Sequence, residues 1–199
     1  MHFELKLAKI IRVLTIAPIG ALAILTLLFI SQGKAFGNPV SYLLSIIYLV
    51  ILPVLAYPLQ AFLPGFKKQG RDGQRNLAIL MANMGYLLGI ISISFFDSTK
   101  ILWTIYLVYF FSGILIIIFN KLIKIKASGH ACGIVGPVAL GIYFTGFKGL
   151  IPGVLILLLV YWSSLKMKRH SITELLWGSS LPLISLFMAH IILSAAIHS

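Results

Sequence analysis

Apolar residues run along this chain in long continuous stretches, broken by short clusters of Gly, Pro and charge. A helix needs about 20 such residues to cross the hydrocarbon of a bilayer. The runs predict helices over residues 8–31, 40–63, 76–96, 100–122, 130–147, 150–165 and 172–197. Membrane-spanning strands would instead alternate apolar and polar positions, and these runs do not. The fifth and sixth runs are short and meet at a hairpin marked by Gly149, Pro152 and Gly153. If either is re-entrant, the count falls from seven spans to six. The N-terminus has the basic-then-apolar order of a signal peptide. Leu14 to Ile30 is nevertheless long enough to span, and no small-residue cleavage site follows, so it is read as the first helix. No fixed-period repeat and no low-complexity linker divides the chain. The expected fold is all-α: a polytopic transmembrane bundle of six or seven helices, in one domain over residues 1–199.

Composition leads to the same class. The chain is 60% hydrophobic and 10% charged, with a mean hydropathy of +1.05. Soluble domains are near half apolar and a quarter charged. Too few polar residues remain here to cover the surface of a globule. Cys132 is the only cysteine, which excludes a disulfide within the chain and leaves an inert buried thiol as its reading.

The net charge of +12 does not indicate a nucleic-acid partner. Its cations sit in short clusters between apolar spans, not in a stripe on a soluble face. They are strongly one-sided. Lys6 to Arg12, Lys67 to Arg75, Lys121 to Lys126 and Lys166 to Arg169 share the side of the N-terminus, against Lys34, Lys100 and Lys148 opposite, a split of 13 to 3. The positive-inside bias places the N-terminal side in the cytoplasm of a cell-membrane protein.

Three loops on that side carry candidate chemistry. The first, Lys67 to Asn76, holds Lys67, Lys68, Arg71 and Arg75 with two glycines, and reads as a flexible anion cradle or as an orientation signal. The second, Lys126-Ala127-Ser128-Gly129-His130, leads into an apolar helix. Gly129 admits a close ligand, a starting helix attracts anions, and His130 can move a proton at neutral pH. A plain Ser cap with a solvated His is the bland alternative. The third loop runs from Ser163 to Glu174 and places a carboxylate four residues after His170. An imidazole so partnered is a nucleophile or base with an orienting group. Ser171 to Glu174 also spells a capping box, and spacing does not separate the two. His190 and His198, near the far end of the last helix, have no companions there. The chemistry that these loops suit is phosphoryl transfer without a metal, since the clustered carboxylates of a two-metal site are missing. Asp72 and Asp97 fall on opposite sides, which disfavours an aspartate-rich prenyltransferase.

In order and spacing, the three loops resemble the motifs of the type 2 phosphatidic acid phosphatase superfamily, in its short prokaryotic branch. The first motif is a Lys, six residues, then Arg-Pro; Lys68 and Arg75 fit, with Asn76 in the Pro position. The second is Pro-Ser-Gly-His; Ala127-Ser128-Gly129-His130 matches all but the Pro. The third is Ser-Arg, five residues, His, three residues, Asp. Ser163, Ser164, His170 and Glu174 fit it, with Ser in place of Arg and Glu in place of Asp. The resemblance covers residues 64–178. It implies that His170 is the nucleophile, Glu174 its orienter and His130 the general acid. Lys68, Arg75, Ser128, Gly129 and Ser163 would hold the phosphoryl group, with Lys166 or Arg169 substituting for the arginine missing at Ser164. It also implies no cofactor, and a lipid or polyprenyl phosphate or diphosphate as substrate. A lipid phosphotransferase and a non-catalytic lipid-phosphate binder or transporter are the alternatives. The lipid tail and the oligomeric state are not legible in the sequence.

Overall fold

The computed structural model describes residues 2–96 and 98–196, so Asp97 and His198 lie outside the described residues. Nine helices and no strand are found among them: α1 (His2–Leu14), α2 (Ala17–Ser31), α3 (Pro39–Phe62), α4 (Pro64–Lys68), α5 (Gly70–Ser94), α6 (Lys100–Ile123), α7 (Gly129–Thr145), α8 (Phe147–Lys166) and α9 (Ile172–Ala195). Five of them are long and apolar enough to cross a membrane, and the bent α1–α2 pair makes six. This is a multi-pass helical membrane protein. The short seventh helix is α7, at 17 residues, and α8 is full length at 20. Seventeen residues span about 25 Å, less than the hydrocarbon thickness. Packing against α2, α6, α8 and α9 surrounds α7 with protein.

Two expected boundaries are corrected, each for a local reason. The first span is not one helix over 8–31. It starts at His2 and bends by 55° between α1 and α2. Pro18 occupies the first turn of α2 and has no N–H for the preceding turn, so the helical ladder breaks there. The Thr15 hydroxyl donates to the Ile11 carbonyl at 2.8 Å, closing the end of α1. The second correction concerns residues 67–75, which are not a flexible loop. Short α4 ends at Lys68, and Gly70, at φ +56°, turns the chain straight into α5. Gly73 lies against the Phe66 carbonyl, an approach that a Cβ would block.

The packing is that of membrane helices, with small residues where helices approach most closely. Gly85 of α5 lies on the Tyr48 carbonyl, and Gly89, a turn later, on the Tyr106 ring. Tyr106 is 1% exposed, and its hydroxyl donates to Ser45 at 3.1 Å, so the ring has nowhere to move. Leu25, Leu28, Leu102 and Leu140 complete this core between α2, α6 and α7.

Because Tyr106 is fixed, Gly89→Ala should lower stability by about 1–3 kcal/mol through overpacking. Gly65→Ala, whose added methyl meets nothing within 4 Å, should unfold near the wild-type temperature. Thermal unfolding of the two variants in one detergent makes the comparison; equal losses would mean that the α5–α6 contact is looser than described.

Candidate active site

The end of the bundle where α1 bends holds a cavity of about 570 Å³. Its wall is drawn from α1, α2, α3, α5, α6, α7 and the α8–α9 connection. One part is strongly basic, with Arg12, Arg71, Arg75, Lys126 and Arg169 beside His130 and His170. The rest is largely apolar and runs between α3, α5, α6 and α7.

The α8–α9 connection delivers His170. Helix α8 ends with the Met167 and Arg169 N–H groups bonded back to the Ser163 and Ser164 carbonyls. Lys168 takes φ +51°, the left-handed conformation usual at a helix end, and so returns Arg169 and His170 to the cavity. His170 Nδ1 stands 2.7 Å from Glu174 Oε2. The second carboxylate oxygen, Oε1, pairs with Lys126 Nζ at 2.8 Å. Half of the capping box is present, because the Glu174 N–H donates to the Ser171 hydroxyl at 3.2 Å. The carboxylate is turned to the imidazole and the lysine. Glu174 thus starts α9 with its backbone and orients His170 with its side chain. Burial holds the His170 pKa below its ordinary value, and the charges of Arg12 and Arg75 push it the same way against the Glu174 hydrogen bond. The ring is therefore neutral at neutral pH, with the Nε2 lone pair free.

The second loop is locked from two directions. The Ser128 N–H donates to the Glu174 carbonyl at 2.8 Å, and Gly178 of α9 allows that approach. Asn120 reaches over from α6: its Oδ1 accepts from the Ala127 N–H, and its Nδ2 donates to the Ala127 and Ile116 carbonyls. His130 Nε2 lies 3.2 Å from the Thr15 hydroxyl oxygen. The Thr15 hydrogen is already given to Ile11, so Nε2 carries the proton in this contact. The second loop, the third loop and the α1–α2 bend therefore meet at the two histidines.

Not every residue expected at the site reaches it. Arg75, Gly129, His130, Arg169 and His170 line the cavity, and Glu174 joins through His170. Lys68 does not. Seven residues before Arg75, it would share that residue's face on one continuous helix, but the turn at Gly70 ends α4 and leaves Lys68 exposed. Ser128 is wholly buried as the N-cap of α7, its hydroxyl accepting from the Ala131 N–H at 3.2 Å. Ser163 is also buried, donating to the Val160 carbonyl at 3.0 Å. Lys166 pairs with Glu4 of α1 instead of facing the cavity.

Arg12 was not singled out by sequence reasoning. Helix α1 packs on α8 and sets the Arg12 Nη1 3.4 Å from the hydroxyl of Ser164. A cation from the first helix thus stands at the third-loop position that lacks one. Arg71, counted among the cations of the first loop, and Lys126, of the second, were not in the set that the resemblance implies. Arg71 lies four residues before Arg75 and so on the same helical face, a pairing that the reading of that segment as a flexible loop did not contain. Among the described residues no ion pair engages Arg12, Arg71, Arg75 or Arg169. No three His, Cys, Asp or Glu side chains there are grouped to share a metal ion. Comparison with family models, curated proteins and solved structures finds no match for this chain.

Asn120 makes two bonds to Ala127 that fix the second loop, and neither Asn120 nor Ala127 lines the cavity. Asn120→Ala should lower stability by about 1–3 kcal/mol, because the buried Ala127 backbone groups lose their partners. Unfolding in detergent measures this; an unchanged midpoint would show that the loop is held from α9 alone.

Proposed function

We propose that this protein is a membrane phosphatase of the type 2 phosphatidic acid phosphatase kind, hydrolysing a lipid phosphate through a phosphohistidine intermediate. The observation that carries this reading is the His170–Glu174 pair, which opens with His130 on a cavity lined by four arginines, none in an ion pair among the described residues although Asp72 shares the lining. Arginine grips phosphate oxygens two at a time, and unpaired arginines around a cavity call for an anion. The largely apolar remainder of the cavity suits a substrate whose phosphate is attached to a hydrophobic tail.

In the first step His170 Nε2 attacks phosphorus and the bond to the lipid oxygen breaks. Glu174 holds the Nδ1 proton and stabilises the developing positive ring. Burial and the Arg12 charge hold the His130 pKa well below its ordinary value, so this ring becomes an acid only when the bound phosphate offsets those cations. It then passes its proton to the departing lipid oxygen, giving the free alcohol. In the second step His130 takes a proton from water, the water oxygen attacks the phosphohistidine, and inorganic phosphate leaves with His170 restored. Arg12, Arg71, Arg75 and Arg169 surround the phosphoryl oxygens, whose charge changes most along this path. No metal takes part. The charge bias favours a cytoplasmic N-terminus and cavity mouth.

Purified protein should release phosphate from lipid phosphates with EDTA present. His170→Ala should abolish turnover while lipid binding persists. Glu174→Gln should lower turnover by about 100-fold or more, whereas a residue that only caps a helix tolerates Gln. Binding without phosphate release from any lipid would leave a non-catalytic binder. The acid limb of kcat/KM should fall below the ordinary imidazole pKa of about 6.5, since His170 must lose its proton to attack. Removing a nearby cation in Arg12→Ala should move that limb to higher pH; an unmoved limb would assign it to another group. A reporter fused at residue 36 should label outside the cell and one at residue 70 inside; the reverse would place the site on the outer face.

A further inference from the structure

The side-chain bonds that tie α1 to other helices gather at one end of the bundle. Glu4 pairs with Lys166 and Arg12 reaches Ser164, both in the last turn of α8. Thr15, just after α1, stands 3.2 Å from His130 in the first turn of α7. From there α2 runs beside α7, with Ala17 against Gly133 and Ile24 against Gly141. Residues before Thr15 therefore lie at the end face of the bundle, and a 55° bend turns them away from the line of α2. Composition changes at the same bend. The 13 residues of α1 include Glu4, Lys6, Lys9 and Arg12, whereas the 15 residues of α2 carry no charge. Four charged residues in so short a segment are costly inside hydrocarbon and tolerated at its surface.

The free face of α1 fits such a surface. Ala8 is fully buried, and Glu4 and Arg12, on the same face, make the contacts with α8. Phe3, Leu7, Ile10 and Leu14 follow the i, i+4, i+7, i+11 spacing of a second face. All four are exposed, Phe3 at 76% and Leu14 at 60%. Lys6 and Lys9 lie to one side of this stripe; both are exposed, and neither has an ion pair among the described residues. A helix of this kind lies in the plane of a bilayer surface, its apolar side chains in the acyl boundary and its lysines among anionic head groups. We propose that α1 is an interfacial helix whose partner is the anionic lipid surface of the membrane that holds the bundle. Lys121 and Lys124, exposed where α6 ends and the chain returns to α7, add positive charge at the same end. Arg12 belongs to the last turn of α1 and lines the cavity, so the seat of this helix on lipid also sets the position of a cavity arginine. The inference does not depend on the phosphatase reading, because it concerns a face outside the cavity.

The test spin-labels Phe3→Cys, Leu7→Cys, Ile10→Cys and Leu14→Cys, one at a time, in a Cys132→Ala background. Each protein is held in nanodiscs of phosphatidylcholine, alone or mixed with phosphatidylglycerol, and oxygen and a water-soluble nickel chelate report the depth of the label. In the mixed lipid all four labels should lie at one shallow depth, about 5–10 Å into the boundary of head groups and acyl chains. A helix entering the span would instead spread them over about 16 Å, at about 1.5 Å for each residue. Phosphatidylglycerol should lower nickel access several-fold, and Lys6→Gln together with Lys9→Gln should remove that difference. Wild-type protein gives an independent reading: trypsin should cut after Lys6 and Lys9 several-fold more slowly in the anionic discs. Depth that increases steadily from Phe3 to Leu14 would overturn the proposal, as would equal nickel access and equal cleavage in the two lipids. Labels open to water in both lipids would overturn it as well. Labels shielded from oxygen and nickel alike would refute a lipid partner and assign the stripe to a contact with protein.

Discussion

Four arginines around one cavity, with no carboxylate bonded to any of them among the described residues, are the constraint on which the rest of the site depends. Like charges held close together repel, and the repulsion grows as water is excluded. Arg12 is half-buried against α8, Arg71 and Arg75 are one turn apart on α5, and Arg169 follows a strained turn after α8. Three separate elements hold them in place, so the arrangement is imposed by the fold and not by mutual attraction. Among the described residues, Asp72 lines the same cavity without forming an ion pair with any of the four. Glu4 is committed to Lys166, and Glu174 to His170 and Lys126. On the proposed reading, the substrate phosphate balances these cations.

The same concentration of charge sets the chemistry of the histidines. Arg12 and Arg75 help burial to keep His170 unprotonated, which leaves a nucleophile, while Glu174 fixes which nitrogen is free. The Glu174 backbone carbonyl also receives the Ser128 N–H, so the residue that orients one imidazole anchors the loop that presents the other. Movement of the start of α9 would disturb both rings together. The bend after α1 belongs to the same unit, because it places Arg12 beside Ser164 and Thr15 beside His130.

The helical membrane fold was legible from the continuous apolar runs, since a bilayer demands helices of set length and little else forms them. The His170–Glu174 pair was legible as well, because four residues bring two side chains together wherever a helix begins. What was hidden arises from contacts distant in sequence or from single residues that redirect the chain. Arg12 meets Ser164 across 152 positions, and nothing near either one announces it. Pro18 and Gly70 each move a boundary by several residues. Gly70 in particular turns Lys68 away from a site that its spacing from Arg75 had suggested. Ser128 and Ser163 illustrate a further limit: a hydroxyl in the expected position is spent on the backbone when burial leaves it no other partner.

The central claim is that phosphorus passes through a covalent bond to His170. Wild-type protein mixed with a lipid phosphate, quenched rapidly into alkali and digested, should yield the His170 peptide heavier by one phosphoryl group, at early times only. The same peptide from Glu174→Gln should accumulate the adduct more slowly. Phosphate released at the normal rate with no adduct on His170, or with the adduct on His130 instead, would contradict the account.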